Sequence, residues 1–575
     1  MSSDELPQAS TSPDMISDTN ANAIDADNVT AAAPERKPDG QRDSRLATVP
    51  QELLDLVCRI LPTPAFNNLR LTCRLMRERT FPDWSTAFFK KKQFMITAFS
   101  LQALVDISRH PTLGPCMTHL VIGLDNLRSI GQQTARTLDE YQQYQDACDA
   151  QELLLDTGSA LKLLTTALLN LPNLHNIDVR NFNSHTRYRD SFRFGIQGGA
   201  STRLCATWKS YGYSELPQWS RHVATPNRPL TGNHHHGCNP GNFVNRVVRI
   251  LLAALGQRKK PIRGLEVLIR VDRDYVQMMA LTDSGFAVSP MLNDETSTKL
   301  PFVLSSLTKL HLDLSLGLDF LSSAGPYRVP IPHPCDMPKS AEEVSDPCST
   351  NLRRFLALTP NLTWLRLNNR GDTLGSAITF LSWLALNPEN PFGPDVEARW
   401  GNANPKPVSL PLRKLELGTM TLNTTTLDRL VNKFDKLECL TLRHVHLQPV
   451  DGQRIRNDPI VSVWATFFRK LLTIAPNLKQ LFLTHISESI KPNKISKEAV
   501  LLYPARSRDG FELTAVDKPA LEALAENTWL QSAWRSAHQL APVQLLYRTD
   551  GDDSSSEGDL DLSDAIDEDS ESDGE

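Results

Sequence analysis

One local pattern recurs along the chain and limits what it can fold into more than any other feature. A run of apolar residues at helical spacing is followed by a short turn, often Pro-Asn-Leu, and then by an L-x-x-L-x-L segment. The clearest copies lie at 163–182, 352–369 and 467–486. The apolar run predicts a helix with one buried face, and the proline ends that helix. The alternating leucines then predict a strand with one side buried.

The repeated pattern predicts a stack of similar units. Less complete copies lie at 247–271, 304–316, 412–418 and 427–447, and we expect residues 116–124 to form the opening strand. One unit cannot bury its own apolar face, so several must stack. The pattern resembles that of leucine-rich-repeat proteins, which are α/β solenoids.

The spacing of the copies is irregular. The first leucines of the strands are 25 to 91 residues apart, whereas repeats of this family have periods of about 20–29 residues. These leucines are Leu174, Leu265, Leu307, Leu362, Leu412, Leu437 and Leu478. The excess lies in insertions rich in Pro, Gly and polar residues at 183–242, 317–350, 388–408 and 487–518. The prediction is an α/β fold with an irregular leucine-rich-repeat-like array over residues 91–549. A general α/β domain built from βαβ units is the alternative.

The charge is unevenly distributed. Residues 550–575 contain thirteen Asp or Glu and no Lys or Arg, and residues 1–45 carry a net charge of −5. Removing both segments from the chain total of −5 leaves +13 for residues 46–549. Both end segments have too few large apolar side chains to offset the entropy of ordering, so we predict that they are disordered. A basic body with acidic ends can bind anionic partners or neutralise itself within the chain.

The acidic tail also carries candidate phosphorylation sites. Four serines have an acid three residues later, which is the pattern that acidophilic kinases prefer: Ser554, Ser556, Ser570 and Ser572. Phosphorylation would make the tail more negative. A solubilising tail without a switch is the alternative.

Cysteine usage and hydropathy indicate the compartment. Nine cysteines are scattered singly without a C-x-x-C pair, so their spacing suggests neither a zinc ribbon nor a redox pair. The longest apolar stretch, 247–255, is half the length of a bilayer span and contains Arg249. The N-terminus has no apolar signal segment. We therefore predict a cytoplasmic or nuclear protein with no membrane partner.

Residues 46–90 are more apolar than a small helical segment requires. Thr48 and Gln51 have capping-box spacing, and Pro50 suits a first helical turn. The short helices predicted after them are crowded with large apolar side chains. Three short helices cannot hide all of these groups internally, which favours a surface for a partner protein.

Within this segment the sequence resembles the F-box family. The opening V-P-Q-E-L-L at 49–54 is similar to the family's Leu-Pro-x-Glu-(Ile/Leu)-Leu, with Val49 replacing the first Leu. The middle and closing parts match at Leu56, Val57, Ile60, Leu61, Leu69, Leu71, Cys73 and Arg74. Met76 stands where Trp is usual, and Thr72 stands where Val is usual. The match covers about 45 residues. The sequence that follows is similar to an extension seen in filamentous-fungal F-box proteins.

The resemblance implies a three-helix F-box at 46–90 that docks onto a small Skp-type adaptor, which bridges to a cullin and its RING subunit. The interface that it implies consists of Pro50, Leu53, Leu54, Val57, Ile60, Leu61, Leu69 and Cys73. An ordinary helical hairpin packed against the following domain is the alternative. An F-box followed by repeats is the layout of a substrate receptor in this ligase class, so the resemblance implies an unknown protein substrate.

Binding residues are expected on the strands, between the buried leucines. The candidates are Lys309, His311, Trp364, Arg366, Glu416, Thr441, Arg443, Lys479 and Phe482. Trp and Arg are the residue types that most often anchor protein interfaces. Trp364 and Arg366 are therefore the first of these candidates.

The motif scan favours an adaptor over an enzyme. The sequence contains no phosphate loop, G-x-G-x-x-G, H-E-x-x-H or G-x-S-x-G motif, so we predict no catalytic residues and no cofactor. Residues 234–238, HHHGC, could bind a soft metal, but adjacent residues rarely supply a closed tetrahedral site, which favours a solvated loop. The basic clusters 90–92 and 258–260 are interpreted as localisation signals or plain surface. They lack the interleaved aromatics of nucleic-acid sites, so no nucleic-acid partner is expected.

Two other functions remain open at this point. One is a Skp-bound scaffold that does not lead to degradation. The other is an unrecognised hydrolase or transferase in the α/β body.

Overall fold

The computed structural model describes a large part of the chain. The described residues are 46, 48–125, 127, 138–181, 240–269, 281–287, 294–316, 349–369, 376–388, 406–449, 462–489, 499–502, 511–513 and 516–537. The predictions for the two tails, for the tail serines, for 234–238 and for most of the insertions fall outside these residues.

The chain divides into two compact units, residues 1–54 and 55–575. The described part of the first unit is a turn that leads into a helix, with Leu53 exposed and Leu54 fully buried. The second unit contains the sheet and the remaining helices.

The helices, in chain order, are α1 (Gln51–Ile60), α2 (Thr63–Thr72), α3 (Arg74–Arg79), α4 (Phe81–Phe89), α5 (Ala98–Arg109), α6 (Leu138–Asp156), α7 (Ser159–Asn170), α8 (Pro240–Leu255), α9 (Asp294–Leu304), α10 (Thr350–Ala357), α11 (Ser376–Leu384), α12 (Thr424–Lys433), α13 (Val463–Ile474) and α14 (Lys518–Ala537). Short 3₁₀ turns lie at Gly114–Cys116 and Asp283–Phe286.

Four short helices, rather than the expected three, fill residues 51–89. The predicted second helix breaks at Cys73, whose backbone is extended with φ −160° and ψ 165°. The Cys73 Sγ accepts the backbone N–H of Met76 at 3.5 Å and so caps α3. The apolar run continues through this point without Pro or Gly, so the sequence pattern does not mark the break.

The strands are β1 (Lys91–Met95), β2 (His119–Gly123), β3 (Asn176–Arg180), β4 (Gly264–Leu268), β5 (Lys309–Leu314), β6 (Trp364–Asn369), β7 (Lys414–Asn423), β8 (Cys439–Gln448), β9 (Gln480–Thr484), β10 (Ile486–Ser489), β11 (Ala499–Leu502) and β12 (Phe511–Leu513). Strands β1 to β9 lie side by side in chain order, and each is parallel to the next. Strand β10 is parallel to β8, whereas β11 and β12 pair antiparallel with β10 and β9. The predicted α/β fold is confirmed as helices with a mostly parallel sheet.

The L-x-x-L-x-L pattern forms three buried columns across the sheet. The second-position column runs through Leu120, Ile177, Leu265, Leu310, Leu365, Leu415, Leu440 and Leu481, which are adjacent in register and fully buried. Because Leu265 belongs to this column, the first position of its unit is Ile262 and not Leu265 as predicted. The columns and the buried faces of the helices from α5 onward form one apolar core.

The first strand of the sheet precedes the one that was predicted. Residues 116–124 contain β2, but β1 lies outside it at the edge of the sheet. In β1, Lys92 is in register with Leu120 of the buried column, and burial lowers its pKa. A lysine pointing inward on an edge strand disfavours pairing with another chain. Lys91 and Lys92 therefore belong to the sheet and are not plain surface.

Two residues of the second basic cluster, 258–260, also have a structural role. Arg258 is buried, and its guanidinium donates to the carbonyls of Leu171 at 3.1 Å and Leu174 at 2.8 Å. Burial lowers its pKa to about 10. Lys260 donates to the carbonyl of Pro172 at 3.1 Å. These bonds hold the turn before β3 to the segment before β4.

The asparagine of each Pro-Asn-Leu turn joins its unit to the preceding one. Asn173 donates through Nδ2 to the carbonyl of Pro115 at 2.8 Å, Asn361 to Ser305 at 2.7 Å and Asn477 to Asp435 at 2.7 Å. Three separate turns repeat the same bond, which explains why asparagine stands in each.

We expect the triple variant with Asn173, Asn361 and Asn477 changed to Ala to lose about 3 kcal/mol of unfolding free energy. Each bond contributes about 1 kcal/mol, and distant sites add. Urea unfolding measures the change. Asn170→Ala serves as a control, because its bond to the Thr166 carbonyl is exposed like the three turn bonds but lies within α7. A loss in the triple variant equal to that of the control would show that these bonds do not hold adjacent units together.

Candidate functional site

The side chains between the buried leucines project from the other face of the sheet, which we call the polar strand face. Because the strands are in register, these side chains form rows. The amino row contains Lys91, His119, Asn176, Gly264, Lys309, Trp364, Lys414, Cys439 and Gln480, and the middle row contains Gln93, Val121, Asp178, Glu266, His311, Arg366, Glu416, Thr441 and Phe482. The carboxyl row includes Arg180, Asp313, Asn368, Gly418, Arg443 and Thr484.

The structure places eight of the nine predicted strand candidates on this face, including His311, Trp364, Arg366, Glu416, Arg443 and Phe482. Two of the eight, His311 and Thr441, were expected to be exposed but are buried. The exception is Lys479, which precedes β9 and is exposed in the turn. Alternation along each strand explains why the candidates converge, since residues two apart share a face.

Trp364 is the centre of the half-exposed part of the face. Its indole N–H donates to Glu416 Oε1 at 2.9 Å. The ammonium groups of Lys309 and Lys414, on the two neighbouring strands, lie 4.4 and 4.7 Å from the Trp364 ring centroid. The His311 ring packs edge-on at 4.7 Å. Cation–π contacts of this kind hold the indole rigidly, and a rigid, half-exposed Trp is a suitable interface anchor.

The neighbouring strands carry a second aromatic–cation pair. The Arg443 guanidinium lies 5.4 Å from the ring centroid of Phe482. Arg366 lies within ion-pair distance of Glu416, with Nε to Oε2 at 4.0 Å. The half-exposed aromatic and basic side chains therefore extend from β5 to β9.

A buried charge network continues the face across β1 to β5. Asp178 Oδ2 lies 2.9 Å from Arg180 Nη2, 2.7 Å from His119 Nε2 and 3.3 Å from Lys91 Nζ. Arg180 also donates to Glu266 Oε2 at 3.1 Å, and Lys309 Nζ lies 3.0 Å from Glu266 Oε1. The network joins the Trp364 cluster through Lys309.

The opposite charges keep the buried carboxyl groups ionised. Burial alone would raise the pKa of Asp178, but Arg180 and His119 outweigh burial, so the pKa is lowered. Burial and the charge of Asp178 would also raise the pKa of Glu266, yet the neighbouring cations lower it. Burial lowers the pKa of His311 to about 4, so this imidazole is neutral near pH 7.

We expect the protein to lose stability on acidification between about pH 6.5 and pH 4. Burial lowers the pKa values of His311 and His446 from 6.5 to about 4. Below pH 6.5 the unfolded chain therefore binds more protons than the folded chain, and each histidine costs up to about 3 kcal/mol. Asp178 and Glu266, with lowered pKa values, add a further loss below about pH 4.

Urea unfolding at pH 7, 5.5 and 4.5 measures this effect. A variant with His311 and His446 both changed to Gln should lose most of the pH dependence in this interval. A wild-type curve that is flat from pH 7 to pH 4.5 would contradict the assignment.

Three neighbouring strands bend at the carboxyl end of the polar strand face. Thr419, His444 and His485 have left-handed backbones, with φ of 52°, 52° and 50°. The imidazoles of His444 and His485 stack with ring centroids 4.5 Å apart and an interplanar angle of 6°. Such backbones are costly for residues other than glycine. The repeated bend redirects the ends of β7 and β8, and it is a feature that the sequence pattern does not show.

The N-terminal helices expose a second candidate surface. We define the apolar helix surface as Leu56, Val57, Ile60, Leu71 and Leu75, all of which are exposed large apolar residues. Leu71 is 82% exposed, and Leu56 and Ile60 are 56% and 54% exposed. Large apolar side chains that stay exposed on short helices favour a protein-binding surface.

The residues that the resemblance implied for the adaptor interface differ in exposure. Pro50, Leu53, Val57, Ile60 and Cys73 are exposed, whereas Leu61 and Leu69 are half-buried and Leu54 is fully buried. Leu56 and Leu71 match the F-box pattern but were not assigned to the interface, because helical spacing alone does not show which side of a helix is covered.

Comparison with known proteins does not identify the chain. No protein-family model matches it, and no curated protein matches it. Among the described residues, no group of three or more His, Cys, Asp or Glu side chains could hold a metal ion. In the same part of the chain, no helix is both long and apolar enough to cross a membrane.

Proposed function

We propose that this protein is the substrate-receptor subunit of a Skp–cullin–RING ubiquitin ligase. Residues 46–90 would act as an F-box that docks onto a Skp-type adaptor, and the sheet would act as a leucine-rich-repeat-like array that binds a protein substrate. The observation that carries the proposal is the apolar helix surface, which lies within the segment whose sequence resembles an F-box.

The exposure of these side chains supports docking. Leu56 and Ile60 are four residues apart on α1 and therefore lie on one side of the helix, whereas Cys58 is buried. Burying each exposed Leu or Ile against a partner contributes about 1.5–3 kcal/mol. A few such residues are enough to anchor an interface.

The order and parallel pairing of β1 to β9 support the second part of the proposal, in which the sheet acts as a repeat-like array that binds a substrate. Strands that follow chain order with helices between them are what stacked repeats produce. The polar strand face then offers a protein substrate a rigid surface with Trp364, Arg366 and Phe482 as anchors. The alternative βαβ domain would also give parallel strands, but such folds often reverse strand order at a switch point.

The test is assembly of the ligase from purified parts. The full-length chain, a Skp-type adaptor and a cullin–RING pair should co-elute on size exclusion as one complex. Co-elution with the adaptor but never with the cullin would favour the non-degradative scaffold. A chain that elutes apart from the adaptor at micromolar concentration would overturn the proposal.

A further inference from the structure

The edge of the sheet at which the parallel strands begin is basic. The residues that lead into successive strands are linked by backbone hydrogen bonds, among them His175 to Thr118, Arg263 to His175 and Thr308 to Arg263. We call the exposed Lys and Arg residues among the five residues that precede each of β1 to β9 the basic edge. They are Lys90, Lys259, Lys260, Arg263, Arg413, Lys436 and Lys479.

Acidic residues are few at this edge. In the described segments that lead into β1 to β9, the acids are Asp435 and Glu438. Glu438 lies between Arg413 at 3.8 Å and Lys479 at 3.5 Å, so one carboxylate serves two cations. Within the described part of the chain, Lys90, Lys259 and Arg263 make no ion pair. The edge therefore carries an excess of exposed positive charge.

Helix dipoles account for part of this charge but not for all of it. Lys259 and Lys260 follow the end of α8, and Lys436 follows the end of α12, where cations complement a helix C-terminus. Arg263, Arg413 and Lys479 instead stand directly before β4, β7 and β9. Their backbones belong to the hydrogen-bonded ladder and their side chains are exposed. This repeated strand-leading position has no such structural requirement for a cation.

We propose that the basic edge binds the chain's own acidic segment, residues 550–575. The charges are complementary, since this segment holds thirteen Asp or Glu and no Lys or Arg, while residues 46–549 carry +13. The nine strands span about 38 Å at about 4.8 Å per strand. Twenty-six residues in extended form reach about 85 Å and can follow the whole edge.

The chemistry of the edge favours an acidic peptide over a nucleic acid. No aromatic side chain among the five residues that precede each of β1 to β9 is exposed, since Phe88, Phe89 and His175 are half-buried and Phe434 is buried. Single-stranded nucleic acids, in contrast, are held by stacking on accessible aromatic side chains. Phosphates at Ser554, Ser556, Ser570 or Ser572 would each add about −1.5 to −2 charge and strengthen the contact. The segment would then compete with any other acidic partner for the edge.

Zero-length carbodiimide coupling of the full-length chain tests the proposal, because it joins a carboxylate to an amine only where they touch. Coupling of residues 550–575 to Lys259, Lys260, Lys436 and Lys479 should exceed coupling to Lys162 and Lys299 about fivefold or more at low salt. Lys162 and Lys299 are exposed on α7 and α9 and serve as internal controls. In 1 M salt the preference should disappear, because the screening length falls to about 3 Å.

A matched pair of variants completes the test. Arg263→Gln with Arg413→Gln should reduce coupling at the remaining edge lysines, whereas Lys162→Gln with Lys299→Gln should leave it unchanged. Thermal unfolding establishes that both variants are folded. Equal coupling of the acidic segment to edge and control lysines would overturn the proposal. So would an edge that binds a single-stranded oligonucleotide while failing to couple to residues 550–575.

Discussion

Replacing Arg180 with leucine should lower the unfolding free energy by about 3–5 kcal/mol. Arg180 is 2% exposed and bridges Asp178 at 2.9 Å and Glu266 at 3.1 Å. Its removal leaves two buried carboxylates near each other with less compensation, and a broken buried ion pair costs about this much. Lys91, His119 and Lys309 remain, so the loss should be large without abolishing folding.

Two further substitutions in the same network should restore part of the stability that Arg180→Leu removes. Adding Asp178→Asn and Glu266→Gln to the Arg180→Leu variant removes the two buried carboxylates, and replacing a buried ionic group by neutral residues is often close to neutral. The lysines left behind, Lys91 and Lys309, have side chains that are 25% and 16% exposed and can be hydrated. Urea unfolding at pH 7 should therefore show the triple variant to be more stable than the single one. Arg413→Leu, at an exposed pair with Glu438, should cost less than about 1 kcal/mol. A triple variant less stable than Arg180→Leu would contradict the electrostatic account.

Changing Leu56 and Ile60 together to Glu should weaken binding to the Skp-type adaptor about 100-fold or more. Both side chains are more than half exposed on α1, so folding does not depend on burying them fully. Two interface anchors worth about 1.5–2 kcal/mol each give this loss in affinity. Glu is a good helix former, so α1 should persist.

The matched control uses exposed leucines elsewhere on the helices. Leu153 on α6 and Leu169 on α7 are exposed to a similar degree, and changing both to Glu should leave the adaptor affinity unchanged. Isothermal calorimetry with the purified adaptor measures both variants. Leu54→Ala is a poor test of the interface because Leu54 is fully buried, so its substitution would act through stability. Equal affinities for the Leu56–Ile60 variant and the control would exclude the apolar helix surface as the adaptor site.

Periodicity in the sequence predicts most of the sheet. A helix, a Pro-Asn-Leu turn and alternating leucines each have a local physical cause, so the elements from α7 to β9 follow from residues close together in the chain. The shared face of Trp364, Arg366 and Phe482 follows from the same alternation. Strand β1 is not predicted by this periodicity, because its sequence KKQFM has no L-x-x-L-x-L pattern and places Lys92 in a leucine column.

The contacts that the sequence does not predict join residues that are far apart in the chain. Arg180 and Glu266 are 86 residues apart, and only the register of β3 with β4 brings them together. The same holds for Asn361 and Ser305 in neighbouring units. The break at Cys73 is not marked in the sequence either, because residues 69–76 contain no Pro or Gly.

Hydrogen exchange of the full-length chain with and without saturating Skp-type adaptor shows whether α1 to α3 bind the adaptor. We expect slower exchange across α1 to α3, where the apolar helix surface lies, and no change in β5 to β9, which stay available for a substrate. Unchanged exchange in α1 to α3, or protection confined to the polar strand face, would contradict this expectation.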